Sequence, residues 1–352
     1  MKHQKALTSI GTAAIALSAI LSQQTANAAL LAYEGFDYTP GILDSTKNGG
    51  TGWSQPWVAT PATGIAAPNQ QVLSGGFGYT DGLGNILNIS GNRAHVTGDG
   101  ATDGLVGGVG TTTSVTPTRG LTFSRGTSGA TESTWISFIA LRTGAVQPVV
   151  APAPNDHLYG RAASAQFFYN SASSTTGGSE MFGIGRATQS SETIGAATAL
   201  PNDTWGVLQQ GNANATKAST VNWASGADFL LMRIDHVGST VNDASNADTI
   251  RLWINPNLNV APLDGAADVT FKADEFNAAG VGSINRDFIF NRFRIFGGGT
   301  NATQGYGSIE MDEIRIGEGF ADVTPYTAVP EPAIAALGGL GALALIMRRR
   351  RG

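Results

Sequence analysis

The stretch Glu310-Met311-Asp312-Glu313-Ile314-Arg315 comes nearest to a carboxylate site for glycoside cleavage. Side chains two apart on a strand share a face, so Glu310 and Asp312 point one way and Glu313 the other. Cleavage needs two carboxyl groups flanking one bond, one as acid and one as nucleophile or base. Beyond Glu313 the stretch continues with Ile314 and Arg315 and adds no further carboxylate. The stretch therefore reads as a closing strand with polar outer residues. No catalytic residue is assigned, and the chain is not expected to be an enzyme.

Other reactive groupings are incomplete. The chain has no Cys, which excludes disulfides, a thiolate zinc site and a cysteine nucleophile. It lacks a G-x-S-x-G elbow, a P-loop and a G-x-G-x-x-G after a strand. His95, His157 and His236 fall outside H-E-x-x-H and H-x-x-x-H spacings and read as surface or capping residues. Oxygen ligands gather at 99–103 and 242–248, where Asp243, Asn246 and Asp248 would be the calcium ligands. Calcium takes about six to eight oxygens, neither stretch has EF-hand spacing, and Asp and Asn are also ordinary turn residues. No other cofactor is expected. Trp53, Trp57, Trp135, Trp205, Trp223 and Trp253 offer faces for sugar stacking, and most read as core. Trp253 falls on the outward face of its strand beside Arg251 and Asn255, so these three are the candidate carbohydrate contacts. Asn88, Asn202, Asn214 and Asn301 begin N-x-S/T sequons.

The elements that must position these residues are strands. Runs rich in Val, Ile, Phe, Trp, Tyr and Thr alternate with Gly, Ser, Asn, Asp and Thr clusters. Strands are predicted over 134–142, 165–169, 180–186, 228–237, 249–255, 287–296 and 308–316. Leu230, Met232 and Ile234 share a face, as do Ile250, Leu252 and Ile254, and the polar stretch 238–248 between them predicts an antiparallel hairpin with cross-strand charge pairing. No fixed-period repeat and no long helical period occurs between the two ends. The expected class is all-β, an antiparallel sandwich of a single domain over residues 29–328.

Both ends read as addresses. Residues 1–28 have Lys2 and Lys5, an apolar stretch from Ala6 to Leu21, and Ala26-Asn27-Ala28 as an A-x-A exit. They predict a secretory signal helix, cut by signal peptidase after passage through the translocon so that Ala29 becomes the first residue. Residues 329–352 hold Val329-Pro330-Glu331-Pro332, an apolar run over 333–347, and Arg348, Arg349, Arg350 and Arg351. A helix over that run would be about 22 Å long, short of a hydrocarbon core of about 30 Å, and arginine snorkelling can make up the difference. It is predicted as a single transmembrane helix, with the Arg cluster cytoplasmic and the domain outside.

The tail resembles the PEP-CTERM sorting signal of exported bacterial proteins in its motif Val329 to Pro332, its short apolar helix and its Arg cluster. That resemblance implies an exosortase, an integral-membrane cysteine protease or transpeptidase, as partner. It also implies temporary residence in the inner membrane, cleavage near the motif, and delivery to the cell surface or an exopolysaccharide matrix. Residues 29–328 resemble a concanavalin-like (laminin-G) jelly-roll domain of the kind joined to such tails. The resemblance lies in Tyr33-Glu34-Gly35-Phe36-Asp37-Tyr38, the 229–256 hairpin, Asp312-Glu313-Ile314-Arg315-Ile316-Gly317 and 320–325. Laminarinase-like hydrolases share that fold and carry E-x-D-x-x-E or E-x-D-x-E, from which 310–315 departs.

Only 13% of the 352 residues are charged, and the formal net charge is −5. Removing both ends leaves 25 acidic and 15 basic residues, a net of −10 for residues 29–328. A domain so acidic is a poor partner for nucleic acid. The sequence thus predicts a non-enzymatic surface or matrix protein with a structural or exopolysaccharide-associated role. The alternatives are a lectin-like carbohydrate-binding module and, less favoured, a secreted polysaccharide hydrolase.

Overall fold

The computed structural model describes residues 29–58, 69–97, 115–127, 129–143, 163–169, 179–186, 204–209, 216–222, 226–238, 247–273, 287–297 and 307–328. Residues 1–28 and 329–352, with the cleavage residues Ala26 and Ala28, the sorting motif, the apolar run and the Arg cluster, lie outside the described residues. So do His157, Trp223, Asp243 and Asn246.

Among the described residues the chain is built almost wholly of strands. They are β1 (Leu30–Glu34), β2 (Gly41–Ile42), β3 (Gln70–Leu73), β4 (Ile86–Leu87), β5 (Arg93–Thr97), β6 (Thr118–Arg125), β7 (Glu132–Thr143), β8 (Ala163–Tyr169) and β9 (Ser179–Arg186). Then come β10 (Thr204–Gln209), β11 (Thr216–Asn222), β12 (Asp228–His236), β13 (Thr249–Ile254), β14 (Val269–Lys272), β15 (Phe290–Gly297), β16 (Ser308–Gly317) and β17 (Tyr326–Thr327). A single α-helical turn, α1 (Phe320–Val323), precedes β17. Each of the seven predicted runs is a strand, with bounds shifted by no more than three residues. Strands β1, β3, β5, β6, β10 and β11 escape periodicity because they are short or are interrupted by Gly, Ser and Thr, as in TRGLTFSR and TKASTVN.

Two antiparallel sheets pack face to face. One runs β14-β13-β12-β7-β16-β5-β3-β2 with β1 added beside β16, and the other runs β11-β10-β9-β8-β15-β6. Their facing sides share one core, to which Ile136, Phe138, Leu230, Met232 and Ile234 come from the larger sheet and Phe167, Phe182, Ile184, Phe293 and Ile295 from the smaller. Aromatic rings dominate the smaller sheet's side, with Phe167 stacked on Phe182 at 4.6 Å and edge-on to Phe293 at 5.2 Å. Each such ring contributes a large buried apolar area and edge-to-face attraction besides. The predicted hairpin is present, with β12 and β13 antiparallel from Leu230↔Ile254 to Asp235↔Thr249.

The larger sheet is covered on its outer side as well. Trp135, Ile139, Phe229, Leu231 and Trp253 form a second cluster there under Leu87, Leu258 and Val323, which come from the stretches after β3, after β13 and after β16. This cover, rather than open water, is what Trp253 of β13 and Asp312 of β16 meet. The domain closes on itself: β1 pairs with β16, the N–H of Glu318 donates to the Ala29 carbonyl at 3.1 Å, and β17 pairs with β4. Among the described residues, sheet pairing runs from Leu30 to Thr327. Among the described residues, no helix is long and apolar enough to cross a membrane.

Candidate functional site

The acidic strand β16 changes partner halfway along one edge. Ser308–Met311 pair with β5, and Ile314–Gly317 pair with β1. On its other edge the register against β7 jumps from Asp312↔Ile139 to Arg315↔Ser137, so one extra residue bulges out at the seam. Glu313 takes the strain, with φ of 57° in the left-handed region. The bulge defeats strict alternation. Ile309 and Met311 before the bulge and Ile314 and Ile316 after it all face the core, so Glu313 shares the other side with Asp312 instead of opposing it, and both acids are 0% exposed. Of the expected polar outer residues, Asp312 and Glu313 are therefore interior ones, a correction to the reading of 310–315, while Glu310 stays partly exposed.

Each of these acids is held from within. Asp312 Oδ2 accepts the N–H of Phe77 at 2.8 Å, and Oδ1 accepts the N–H of Glu313 at 2.8 Å. The loop approaches so closely at Gly76 that a Cβ there would stand 2.5 Å from Asp312 Oδ2. Glu313 pairs with Arg315 and accepts the Tyr33 hydroxyl at 3.1 Å and the Ser90 N–H. Burial, together with the neighbouring Glu313 charge, pushes the Asp312 carboxyl up to about 8, although two backbone N–H groups oppose the shift. Burial also raises Glu313, against the pull of Arg315. Glu310 is partly exposed, with Arg93 Nε at 2.5 Å and His95 Nδ1 at 3.4 Å. Burial pulls Glu310 up, but hydrogen bonds from His95 and Arg93 outweigh it and hold the group below its ordinary value. Asp312 and Glu313 are shut off from solvent, and their bonds lock the seam.

A second network builds on Glu34, which pairs with Arg119 inside the sandwich edge. Its carboxylate also accepts the Phe36 N–H at 2.9 Å, the Tyr38 hydroxyl at 2.8 Å and the Trp57 indole N–H at 3.1 Å. Burial raises Glu34, and Arg119 and these three donors pull it back down. All four groups are donors, so the site uses the carboxylate as an acceptor.

His236 is buried rather than a surface or capping residue. Its Nδ1 lies 3.1 Å from Asp248 Oδ2, and its Nε2 lies 3.0 Å from Thr134 Oγ1. Arg125 Nε donates to that Thr134 hydroxyl at 2.9 Å, so the hydroxyl and the imidazole link Arg125 to Asp248. The order hydroxyl, imidazole, carboxylate is that of an acyl-transfer triad. Thr134 is fully buried in the sheet, so no substrate meets the hydroxyl, and the relay ties β7, β12 and β13 together. Asp248 also accepts the N–H groups of Val237 at 2.9 Å and Phe288 at 2.8 Å. Both oxygens of this candidate calcium ligand are thus engaged by the fold. Among the described residues, no three His, Cys, Asp or Glu side chains group as a metal site.

Of the candidate carbohydrate contacts, Trp253 is covered, Arg251 is partly exposed and Asn255 is exposed. Trp253 lies on the outward face as expected and is only 2% exposed. It stacks on Trp135 with centroids 5.8 Å apart and donates its indole N–H to the Leu263 carbonyl at 3.2 Å. The Arg233 guanidinium sits 5.5 Å above Trp135 and 5.9 Å above Trp253. Arg233 and Arg251 are directly opposite on β12 and β13, and Asp235 and Asp264 bridge both. Asn255, at φ of 54°, accepts the Phe229 N–H at 2.8 Å and donates to Asp228 at 2.7 Å. Of the other tryptophans, Trp57 and Trp205 are buried, while Trp53 is half-buried under Arg119.

A platform that sequence reasoning passed over lies on the outer side of the smaller sheet. Phe293 and Ile295 point into the core, so Arg292, Arg294 and Phe296 alternate outward. The Arg294 guanidinium stands 4.3 Å over the Phe168 ring and 5.3 Å over Phe296, and its Nε donates to Gln166 at 2.5 Å. Arg294 and Phe296 keep part of their surface in solvent. Planar groups fixed in this way offer stacking faces and donors to a sugar or another polar ring. The alternation that found the strand over 287–296 also marks these three positions.

No family model matches the chain, and no curated protein matches it. Among solved structures, a carbohydrate esterase from Shiga toxin-encoding bacteriophage phi24B is similar with a TM-score of 0.38 and 11% identity, over 83% of this chain and 100% of that one. The binding domain of botulinum neurotoxin DC, solved with rat synaptotagmin II, has a TM-score of 0.35 and 10% identity over 81% of this chain, which spans about half (49%) of that one. The metal-free carbohydrate recognition domain of Emp46p has a TM-score of 0.31 and 8% identity, over 67% and 87% of the two chains. With likeness this low, function has to be read from the chain's own residues.

Proposed function

We propose that this is an exported surface or matrix protein whose β-domain is non-catalytic, held in the inner membrane by its tail and released by an exosortase. The supporting observation is how the two described ends are held. Among the described residues, the first strand, β1, pairs with β16, and the last, β17, pairs with β4. Both ends of the described domain are thus anchored by partners within it, which suits a domain that keeps its fold when its terminal addresses are cut away. The finer reading of its sandwich is a concanavalin-like jelly roll. Its non-catalytic character is supported by the closed Asp312–Glu313 seam and the buried Thr134–His236–Asp248 relay. Fractionation of a host with and without its exosortase tests this. The chain is expected at the surface in the first and held in the inner membrane in the second. The same distribution in both hosts would sink the proposal.

The Phe168–Arg294–Phe296 platform favours a second reading, a lectin-like module for exopolysaccharide. Titration calorimetry with the host polysaccharide tests it. The reading requires binding that weakens when Phe296 is replaced by Ala, and an absence of binding removes it.

A further inference from the structure

The tail reading fixes where a bilayer would lie, and several large apolar side chains near it are exposed among polar ones. Thr327 is bonded to Ile86 across the β17–β4 pair. Five residues, 328–332, separate it from Ala333 at the start of the apolar run. Fully extended, that connection reaches roughly 21 Å at about 3.5 Å per residue. The β4 edge therefore stays close to the membrane for as long as the tail is inserted.

Around that edge Leu83 is 61% exposed, and Ile86, Ile89 and Tyr326 also lie open to solvent. A second loop is fastened alongside. Asp81 Oδ2 accepts the Leu258 N–H at 2.8 Å, and the Tyr79 hydroxyl donates to the Pro256 carbonyl at 2.7 Å. That loop exposes Val260 at 64% and Leu263 at 79%. Two pinned loops thus carry large apolar tips on the membrane-proximal cover of the larger sheet.

We propose that these loops rest on the lipid surface while the tail is anchored, an inference that depends on the anchored-tail reading. The occupant is lipid because the tether keeps a bilayer within reach at high effective concentration. Aliphatic tips with a tyrosine suit the headgroup boundary. A domain of net charge −10 gains nothing electrostatically from an anionic surface, so the contact is apolar and insensitive to salt. It would hold the domain in one orientation, with the sorting motif beside the bilayer.

Because the chain has no Cys, single cysteines can be labelled uniquely. The full chain would be reconstituted in phosphatidylcholine vesicles containing brominated lipid. The environment-sensitive fluorophore NBD would be placed by Leu83→Cys, Leu263→Cys, Thr220→Cys or Ala342→Cys. Thr220, exposed on β11 of the smaller sheet, is the solvent reference, and Ala342 reports tail insertion. The expected result is a blue shift and quenching at 83 and 263 as well as at 342, unchanged by salt, with neither at 220. Quenching at 342 while 83 and 263 behave like 220 overturns the lipid contact alone. A lack of quenching at 342 overturns the anchor and the contact with it.

Discussion

Asp312 and Glu313 are consecutive residues, both shut off from solvent, and the N–H of Glu313 donates to Asp312 Oδ1 at 2.8 Å. Two adjacent acids are buried together because a bulge lets β16 exchange β5 for β1 at that point. The extra residue frees backbone and side-chain groups that only internal partners can satisfy.

Asp312 makes stability depend on pH with a definite sign. Its carboxyl lies at about 8 in the fold against an ordinary 3.8, raised chiefly by burial. Between those values the folded chain keeps a proton that the unfolded chain has released. Stability should therefore fall as pH rises through this window, by up to about 1.4 kcal/mol per unit, and level off above about 8. Urea midpoints from pH 5 to 9 test this against Asp312→Asn, which costs about 1–3 kcal/mol at the acid end and has a shallower slope. Equal slopes in both proteins would contradict it.

Glu313 should show two separable costs. Glu313→Ala leaves Arg315 buried without its carboxylate and should destabilise by about 3–5 kcal/mol in chemical denaturation. Glu313→Gly loses the same pair but relieves the left-handed backbone, and should recover about 1 kcal/mol of that loss. If Gly is no better than Ala, the strain assigned to Glu313 is wrong.

This seam was not legible in the sequence, whereas the strand carrying it was. Alternation identified β12, β13 and β16 and their apolar faces, because one side of each packs into the core. A bulge adds one residue without altering composition, so alternation carried through it assigns Glu313 the wrong side. The His236 relay escaped for a different reason. Its hydroxyl, Thr134, lies 102 residues away and meets His236 only through strand pairing. Trp253 was placed on the correct face, but its cover, Leu258 and Leu87 among it, comes from irregular stretches that carry no periodic signal. Phe296 and Arg294 were within reach of the same alternation rule.

Asp248 is expected to be structural. Asp248→Ala orphans the donors at His236, Val237 and Phe288, and should cost about 3 kcal/mol or more. Added calcium should not raise the melting temperature of the parent protein. A calcium-dependent rise that Asp248→Ala abolishes would restore the metal reading.

Trp253 and Phe296 should separate stability from binding. Trp253→Ala removes a buried ring stacked on Trp135 and should cost about 3–5 kcal/mol. Phe296→Ala, at a partly exposed position, should cost under about 1.5 kcal/mol while reducing polysaccharide binding on the lectin reading. Thermal melts and calorimetry on both variants check this. The reverse pattern would move the sugar site to Trp253.

The most direct measurement is the pair of termini on the chain recovered from the surface of a host with an active exosortase, read by intact-mass and terminal-peptide spectrometry. The account predicts a chain that begins at Ala29 and ends within or next to Val329–Pro332, with the apolar run and the four arginines gone. A surface chain that still carries residues 333–352 would contradict it.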